Sequence, residues 1–246
     1  MTRLIPVLAS LLAMTAAVHA QSDYPNKPIR MVVPYVAGGA ADITARVIGQ
    51  RMSESMGQTV VIDNKPGANG MLGTDLVAKA APDGYTLLLT ASGPIVVNPV
   101  LYAKVPYDAV NDLAPVSQIT SYQYAVAVPA ASPIQNMRDL VALAKAKPKE
   151  VSYGSTGIGG GGHLAGELLS QITGTQLTHI PYKGAAPALA DLLGGQLTFT
   201  FEPVVTAGPM VKAGKLRAFA VSGPKRAASM PQLPTLNELG YTGFNI

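Results

Sequence analysis

The chain has 246 residues, 18 basic and 14 acidic, for a formal charge of +4 at pH 7; that is long enough to bury a sizeable core in one or two domains. Its dense basic groups are Lys145, Lys147 and Lys149 and the pair Lys225-Arg226, without interleaved aromatics, which argues for solvated surface and against a nucleic-acid face. The absence of cysteine excludes disulfides, zinc-thiolate sites and thiol nucleophiles together.

Arg3 is followed by an apolar run from Leu4 to Val18, broken by Pro6, Ser10 and Thr15, and Val18-His19-Ala20 closes it. This reads as a secretory signal peptide cleaved after Ala20, which exports the mature chain. A membrane anchor needs about 20 apolar residues, more than this run supplies.

From Ile29 two periods alternate. "IRMVVPY" is a nearly continuous apolar run, as expected of a strand buried on both faces. "ADITARVIGQRMSESMG" then places Ile43, Val47, Ile48 and Met52 at helical spacing and stops at Gly57. "TVVID", "LGTDLVAKAA" and "YTLLLT" continue as strand, helix and strand. The second half repeats the scheme: strand "YAVAVPA", helix "MRDLVALAKA", strand "VSYGS", a helix carrying Leu164, Leu168 and Ile172 to Gly174, and strand "LTHIPY". A helix near 187–193, strand "QLTFTF", a short helix near Val211 and strand "LRAFAV" follow. Such alternation predicts an α/β protein of two lobes, each a mostly parallel sheet flanked by helices. The expected divisions are 21–118 for the first lobe and 119–221 for the second, with 222–246 returning to the first. Lobe closure is expected about crossings near 116–122 and 219–223.

In "YGSTGIGGGGHLAGELL", Gly157, Gly159 and Gly162 satisfy Gly-x-Gly-x-x-Gly. A dinucleotide site also needs an acidic residue about 20 positions on, at the end of the next strand. No acid lies between Glu167 and Asp191, and no Gly-Lys-Ser or Gly-Lys-Thr closes a phosphate loop. What remains is an anion site built from backbone amides at a helix start, to which Ser155 and Thr156 add hydroxyls and His163 stands at the entrance. The first lobe has a counterpart in "VVPYVAGGAAD", with Gly38 and Gly39 in the turn and Asp42 in the first helical turn. Asp42 is equally explained as an acid favoured by the helix dipole. Two amide-rich loops beyond the carboxyl ends of strands predict a cleft for a small carboxylate with an anionic group at each end.

The motifs "YPNKPIRMVVPYVAGGAAD", "VIDNKPGANGMLGTDLVAKAAPDGYTLL", "VPYDAVNDLAPV", "YGSTGIGGGGHLAGELL", "HIPYKGAAPALADLLGGQL" and "LPTLNELGYTGFNI" occur in that order and span nearly all of the mature chain. In these the chain resembles the substrate-binding receptors of the tripartite tricarboxylate transporter system, the TctC or Bug family. The resemblance implies a type II-like periplasmic binding protein that closes on a carboxylated solute and presents it to membrane permease subunits, acting as a monomer without metal or other cofactor. It further implies that Tyr35, Val36, Ala37, Gly38 and Gly39 grip one carboxylate, and that Ser155, Thr156, Gly157 and Gly159 take the other end. Asp42, Ser92, His163, Tyr182 and Glu202 are further pocket candidates. Relatives commonly carry a hydroxyl where this chain has Gly160-Gly161, and they continue past the equivalent of Ile246 with a segment that returns to the first lobe. A first lobe without that segment is expected to expose apolar surface.

Two rival functions remain at this level. A hydrolase lacks support, because Gly-x-Ser-x-Gly is absent and Tyr153 stands two residues before Ser155. A sensor subunit that reports ligand to a membrane kinase would use the same binding chemistry, so the sequence does not separate it from a transport receptor.

Overall fold

The computed structural model describes residues 24–246; the segment read as a signal peptide lies outside them. The first lobe contains β1 (Ile29–Val33), α1 (Ala40–Met56), β2 (Val60–Asn64), a 3-10 turn (Ala68–Gly70), α2 (Met71–Ala78), β3 (Thr86–Leu88), a π turn (Gly93–Val97) and α3 (Asn98–Leu101). Its three strands lie in the order β2-β1-β3, all parallel. Central β1 buries Ile29, Met31, Val32 and Val33 almost completely, which is why its sequence is apolar without alternation.

α1 ends where expected, at Gly57 with φ +66°, whose amide bonds the Ser53 carbonyl. Its buried face differs from the expected one. Ile43 and Val47 are exposed, whereas Asp42, Ala45 and Gly49 are buried. Small residues win that face because α1 lies close over β2: a Cβ at Gly49 would stand 3.0 Å from Ile62 Cδ1 and 3.4 Å from Val60 Cγ1.

The second lobe contains β4 (Tyr124–Pro129), α4 (Met137–Ala146), β5 (Ser152–Ser155), α5 (Gly161–Thr173), β6 (Thr178–Pro181), α6 (Ala185–Leu193), β7 (Phe199–Pro203), α7 (Val204–Lys212) and β8 (Leu216–Val221). The sheet order is β6-β5-β7-β4-β8. β5 runs parallel to β6 and β7, while β4 runs antiparallel to both β7 and β8. The sheet is therefore mostly parallel, with β4 alone reversed. α4 is capped reciprocally: Asp139 N donates to Asn136 Oδ1, and Gln135 N donates to Asp139 Oδ2.

Residues 222–246 correct the expected division. They stay on the second lobe: Leu236 and Phe244 enter its core beside Phe199 and Phe201, and Met230 and Leu233 pack with Ala125 and Val221. Leu236 N donates to Val221 O, and Ile246 N to Ser222 O. The cause is apolar: these side chains cover β4 and β8, which need an outer layer. The segment 219–223 is thus no crossing between lobes. The stretch from Leu113 to Gln123 forms no helix or strand and leaves Val116 89% and Ile119 45% exposed. Among the described residues no helix is long and apolar enough to cross a membrane.

Candidate functional site

The carboxyl ends of β1, β2, β5 and β6 lead into loops that meet between the lobes, where ligands of open α/β sheets lie. They enclose a cavity of about 220 Å³. Tyr35, the turn Gly67–Gly70 and Tyr102 line it from the first lobe; Thr156, Gly157, Ile158, Pro181, Tyr182 and Lys183 line it from the second. Lys183 is the single charged residue of this lining. A larger hollow of about 530 Å³ lies on the outer side of α5 between Leu164 and Thr175, but it is a surface dent away from the converging loops.

The first-lobe loop is held from below by Asp42. This buried carboxylate accepts from Gly38 N at 2.9 Å, from Arg46 Nε at 2.9 Å and Nη2 at 3.0 Å, and from Asn64 Nδ2 at 3.1 Å. Burial pushes its pKa up, but the bonds from Arg46, Gly38 and Asn64 outweigh burial and hold it below the ordinary carboxylate value. Asp42 therefore shapes the loop through its own network. Val36, Gly38 and Gly39 face the second lobe: ideal Cβ positions at Gly38 and Gly39 stand 3.9 and 3.5 Å from the Cβ atoms of Ala186 and Ala185. Ala37 is exposed. Tyr35 is buried against the first-lobe core and lines the cavity, and burial lifts its phenol above the ordinary range.

The second-lobe loop is similarly self-contained. Ser155 Oγ lies 3.0 Å from Gly157 O and 2.6 Å from His179 Nε2, and it accepts from Gly157 N at 3.1 Å. Gly159 N donates to His163 Nδ1 at 3.1 Å, which makes His163 an internal cap. The two imidazoles stack with centroids 4.2 Å apart. Burial lowers both pKa values, with His163 adding to the effect on His179 and taking it down to about 4. Two of the glycine amides expected to face a ligand are thus spent within the loop. The first-turn amides of α5, at Gly161 and Gly162, have no carbonyl one turn earlier to receive them and are the donors suited to an anion.

The other candidates separate. Tyr182 lines the cavity with its hydroxyl donated to Asp191 Oδ2 at 2.7 Å; burial and then Asp191 push its pKa up to about 12. Glu202 is buried within β7 and accepts a short bond from Thr206 Oγ1. Burial raises its pKa to about 7 against the lowering effect of Thr206. Ser92 is exposed at the start of the π turn and is not among the cavity's lining residues.

Asn69, Tyr102 and Lys183 are cavity residues that sequence reasoning missed. The signal for Asn69 was available in "PGANG", a glycine-flanked turn in which all four residues from Gly67 to Gly70 have positive φ. The lobes touch here: Tyr102 donates to Ile158 O at 3.2 Å, and a Cβ at Gly159 would lie 2.9 Å from Leu101 Cδ2. Gly159 has φ +84° as well, so glycine is required twice over. Among the described residues no group of three metal-type side chains occurs.

Residues 44–246 match the family described as tripartite tricarboxylate transporter family receptor, TctC. The chain belongs to this family. The TctC receptor is 38% identical to the protein BugT of Bordetella pertussis over 247 residues, covering 99% of this chain and 76% of the relative. Its fold matches the periplasmic binding protein BugD at a TM-score of 0.81 and 38% identity, over 91% of this chain and 74% of that one. It matches R. palustris Rpa4515 with adipate at 0.88 and 36%, over 91% and 75%. MatC from Rhodopseudomonas palustris with bound malate aligns at 0.85 and 29%, over 91% and 76%. The two-lobed α/β architecture and the TctC/Bug membership expected from the motifs are both borne out.

Proposed function

We propose that this TctC receptor captures a compact carboxylate between its lobes in the periplasm and delivers it, as a monomer, to the membrane permease subunits of its transporter. The observation that carries the reading is the interlobe cavity, lined by one cation, Lys183, and no acid. Relatives solved with adipate and malate support it. At about 220 Å³ the cavity is below the ~300–1,000 Å³ of pockets that take drug-sized ligands, which suits a short acid. Ser155 and His179, though hydrogen-bonded, are assigned no catalytic step, because the serine also bonds both backbone groups of Gly157 and is consumed in shaping the loop.

A thermal-shift screen of C3 to C6 carboxylic acids, followed by calorimetry, tests this reading. Saturation at about 100 times Kd adds ~2.7 kcal/mol to stability, so a binding acid raises Tm measurably. Lys183→Met is expected to weaken every acid that binds by roughly tenfold or more, the value of a hydrogen bond to a charged group. A panel in which no acid binds, or a Lys183→Met protein that binds them all as before, would refute the assignment.

A further inference from the structure

We infer that His163 is the positioning residue of the second-lobe loop: its neutral imidazole holds the loop tip against the first lobe, and protonation releases the tip, so that acid weakens capture of the ligand. The inference rests on the carboxylate reading above. The tip spans 157–160 and is closed as a turn by Gly160 N donating to Gly157 O at 3.0 Å. Thr156, Gly157 and Ile158 line the cavity, and Ile158 O accepts the Tyr102 hydroxyl of the opposite lobe at 3.2 Å. Three of the four tip residues are glycine, so this backbone has little stiffness of its own. Two side chains anchor it. Ser155 Oγ accepts from Gly157 N at 3.1 Å, and His163 Nδ1 accepts from Gly159 N at 3.1 Å, one residue from the carbonyl that meets Tyr102.

The two anchors respond differently to a proton. A backbone amide only donates, so the bond from Gly159 requires Nδ1 bare and places the neutral ring's proton on Nε2. Nε2 stands 3.9 Å from Glu167 Oε1, and that oxygen already accepts the Tyr153 hydroxyl at 2.7 Å. Protonation adds a hydrogen at Nδ1 and sets donor against donor at Gly159. His179 brings no such conflict: its Nε2 lies 2.6 Å from Ser155 Oγ, and a charged ring there donates to the serine oxygen, which keeps its bonds to both backbone groups of Gly157. The titratable groups around His163 are Glu167 on its own helix, His179 on β6 with ring centroids 4.2 Å apart, and Tyr153 on β5, whose hydroxyl also lies 3.3 Å from His163 O. The Tyr124 ring of β4 lies against Gly161. Burial keeps both phenols neutral, leaving Glu167, among the described residues, as the charge that favours the imidazolium. Burial of the ring opposes it and prevails, holding the His163 pKa below its ordinary 6.5. The accepting form therefore persists at neutral pH, and the tip is released on the acid side.

Succinate, L-malate, glutarate and adipate, titrated calorimetrically into the full chain at half-unit steps from about pH 7.5 to 4.5, bracket the ordinary histidine range and test the inference with two variants. His163→Asn carries on its Cγ, where Nδ1 is attached, a carboxamide oxygen that accepts without titrating. His163→Leu fills the space and offers Gly159 no acceptor. The acids' own protonation affects every protein alike, so the readout is wild-type affinity relative to His163→Asn. That ratio is expected to fall about five- to tenfold from the neutral to the acid end, the worth of one hydrogen bond, and His163→Leu is expected to bind more weakly than His163→Asn throughout. In the ligand-free wild type the Gly159 amide resonance should follow the same titration. A ratio that stays level for every acid that binds overturns the inference and leaves the carboxylate reading standing. So does a His163→Leu protein that binds as tightly as His163→Asn, or a wild-type Gly159 resonance that does not move, a result that needs no variant to fold. If none of the four acids binds at any pH, the carboxylate reading falls and the inference with it.

Discussion

Glu202, which is buried, and His179, which is half-buried, are two groups whose protonation opposes each other as pH changes. Burial raises Glu202 from 4.5 to about 7, so between those values the folded state holds a proton that the unfolded chain has released; stability falls as pH rises through this window and is level above it. His179, lowered from 6.5 to about 4, does the reverse. The unfolded chain binds the extra proton, and stability rises with pH until about 6.5. The two slopes offset one another in the wild type. Glu202→Gln removes one of them, keeps an acceptor for Thr206, and should leave Tm unchanged near pH 4.5 while raising it at pH 8. At ~1.4 kcal/mol per pKa unit the gain is about 3 kcal/mol, on the order of 5–10 °C for a chain of this size. Calorimetric scans of both proteins at half-unit pH steps check it, and equal Tm at pH 8 would show that Glu202 ionises without cost.

At the level of elements, α5 shows how closely the second lobe is built. A Cβ on Gly166 would overlap the Tyr153 ring, and Tyr153 is fully buried with its hydroxyl donated to Glu167 Oε1 at 2.7 Å. The ring has nowhere to retreat, so Gly166→Ala is expected to lower stability by ~1–3 kcal/mol, the range for overpacked cores, despite alanine's better helix propensity; urea denaturation measures it. The same interlocking explains what periodicity could and could not show. Strand and helix order was legible because apolar runs and glycine stops recur from β1 to β8. The true face of α1 was not, since Asp42 and Gly49 are buried for reasons that lie elsewhere in the chain, in Arg46, Asn64 and the side chains of β2. Neither was the placement of residues 222–246, because Phe244 could cover either lobe until β4 and β8 were seen to need it. In the site, glycines marked the loops correctly, but Gly157 N and Gly159 N turned inward to Ser155 and His163. Asn69 is held by Asn98, twenty-nine residues on.

For the whole molecule the controlling contact is the approach of the lobes beside the cavity. Gly184, entering α6, is extended with φ 162°, so an alanine there meets no backbone strain of its own. Its Cβ would, however, overlap Val36 Cγ2 and stand 3.3 Å from Val36 N on the opposite lobe. Valine cannot swing aside cheaply, because two substituents on Cβ leave it few rotamers, and the amide is fixed in the loop that Asp42 braces through Gly38. Gly184→Ala should therefore act as a wedge that leaves each lobe folded but disfavours their contact. An overlap worth ~2 kcal/mol reduces the closed population, and apparent affinity falls by the same fraction, about 10–30-fold. Gly208→Ala in α7 is the control, since a Cβ there meets nothing within 4 Å. Calorimetry with the tightest acid should show the loss for Gly184→Ala alone, while small-angle scattering shows a radius of gyration that no longer contracts when the acid is added. Unchanged affinity in the wedge variant would mean that binding is complete before the lobes meet at Val36, and that closure does not govern capture in this receptor.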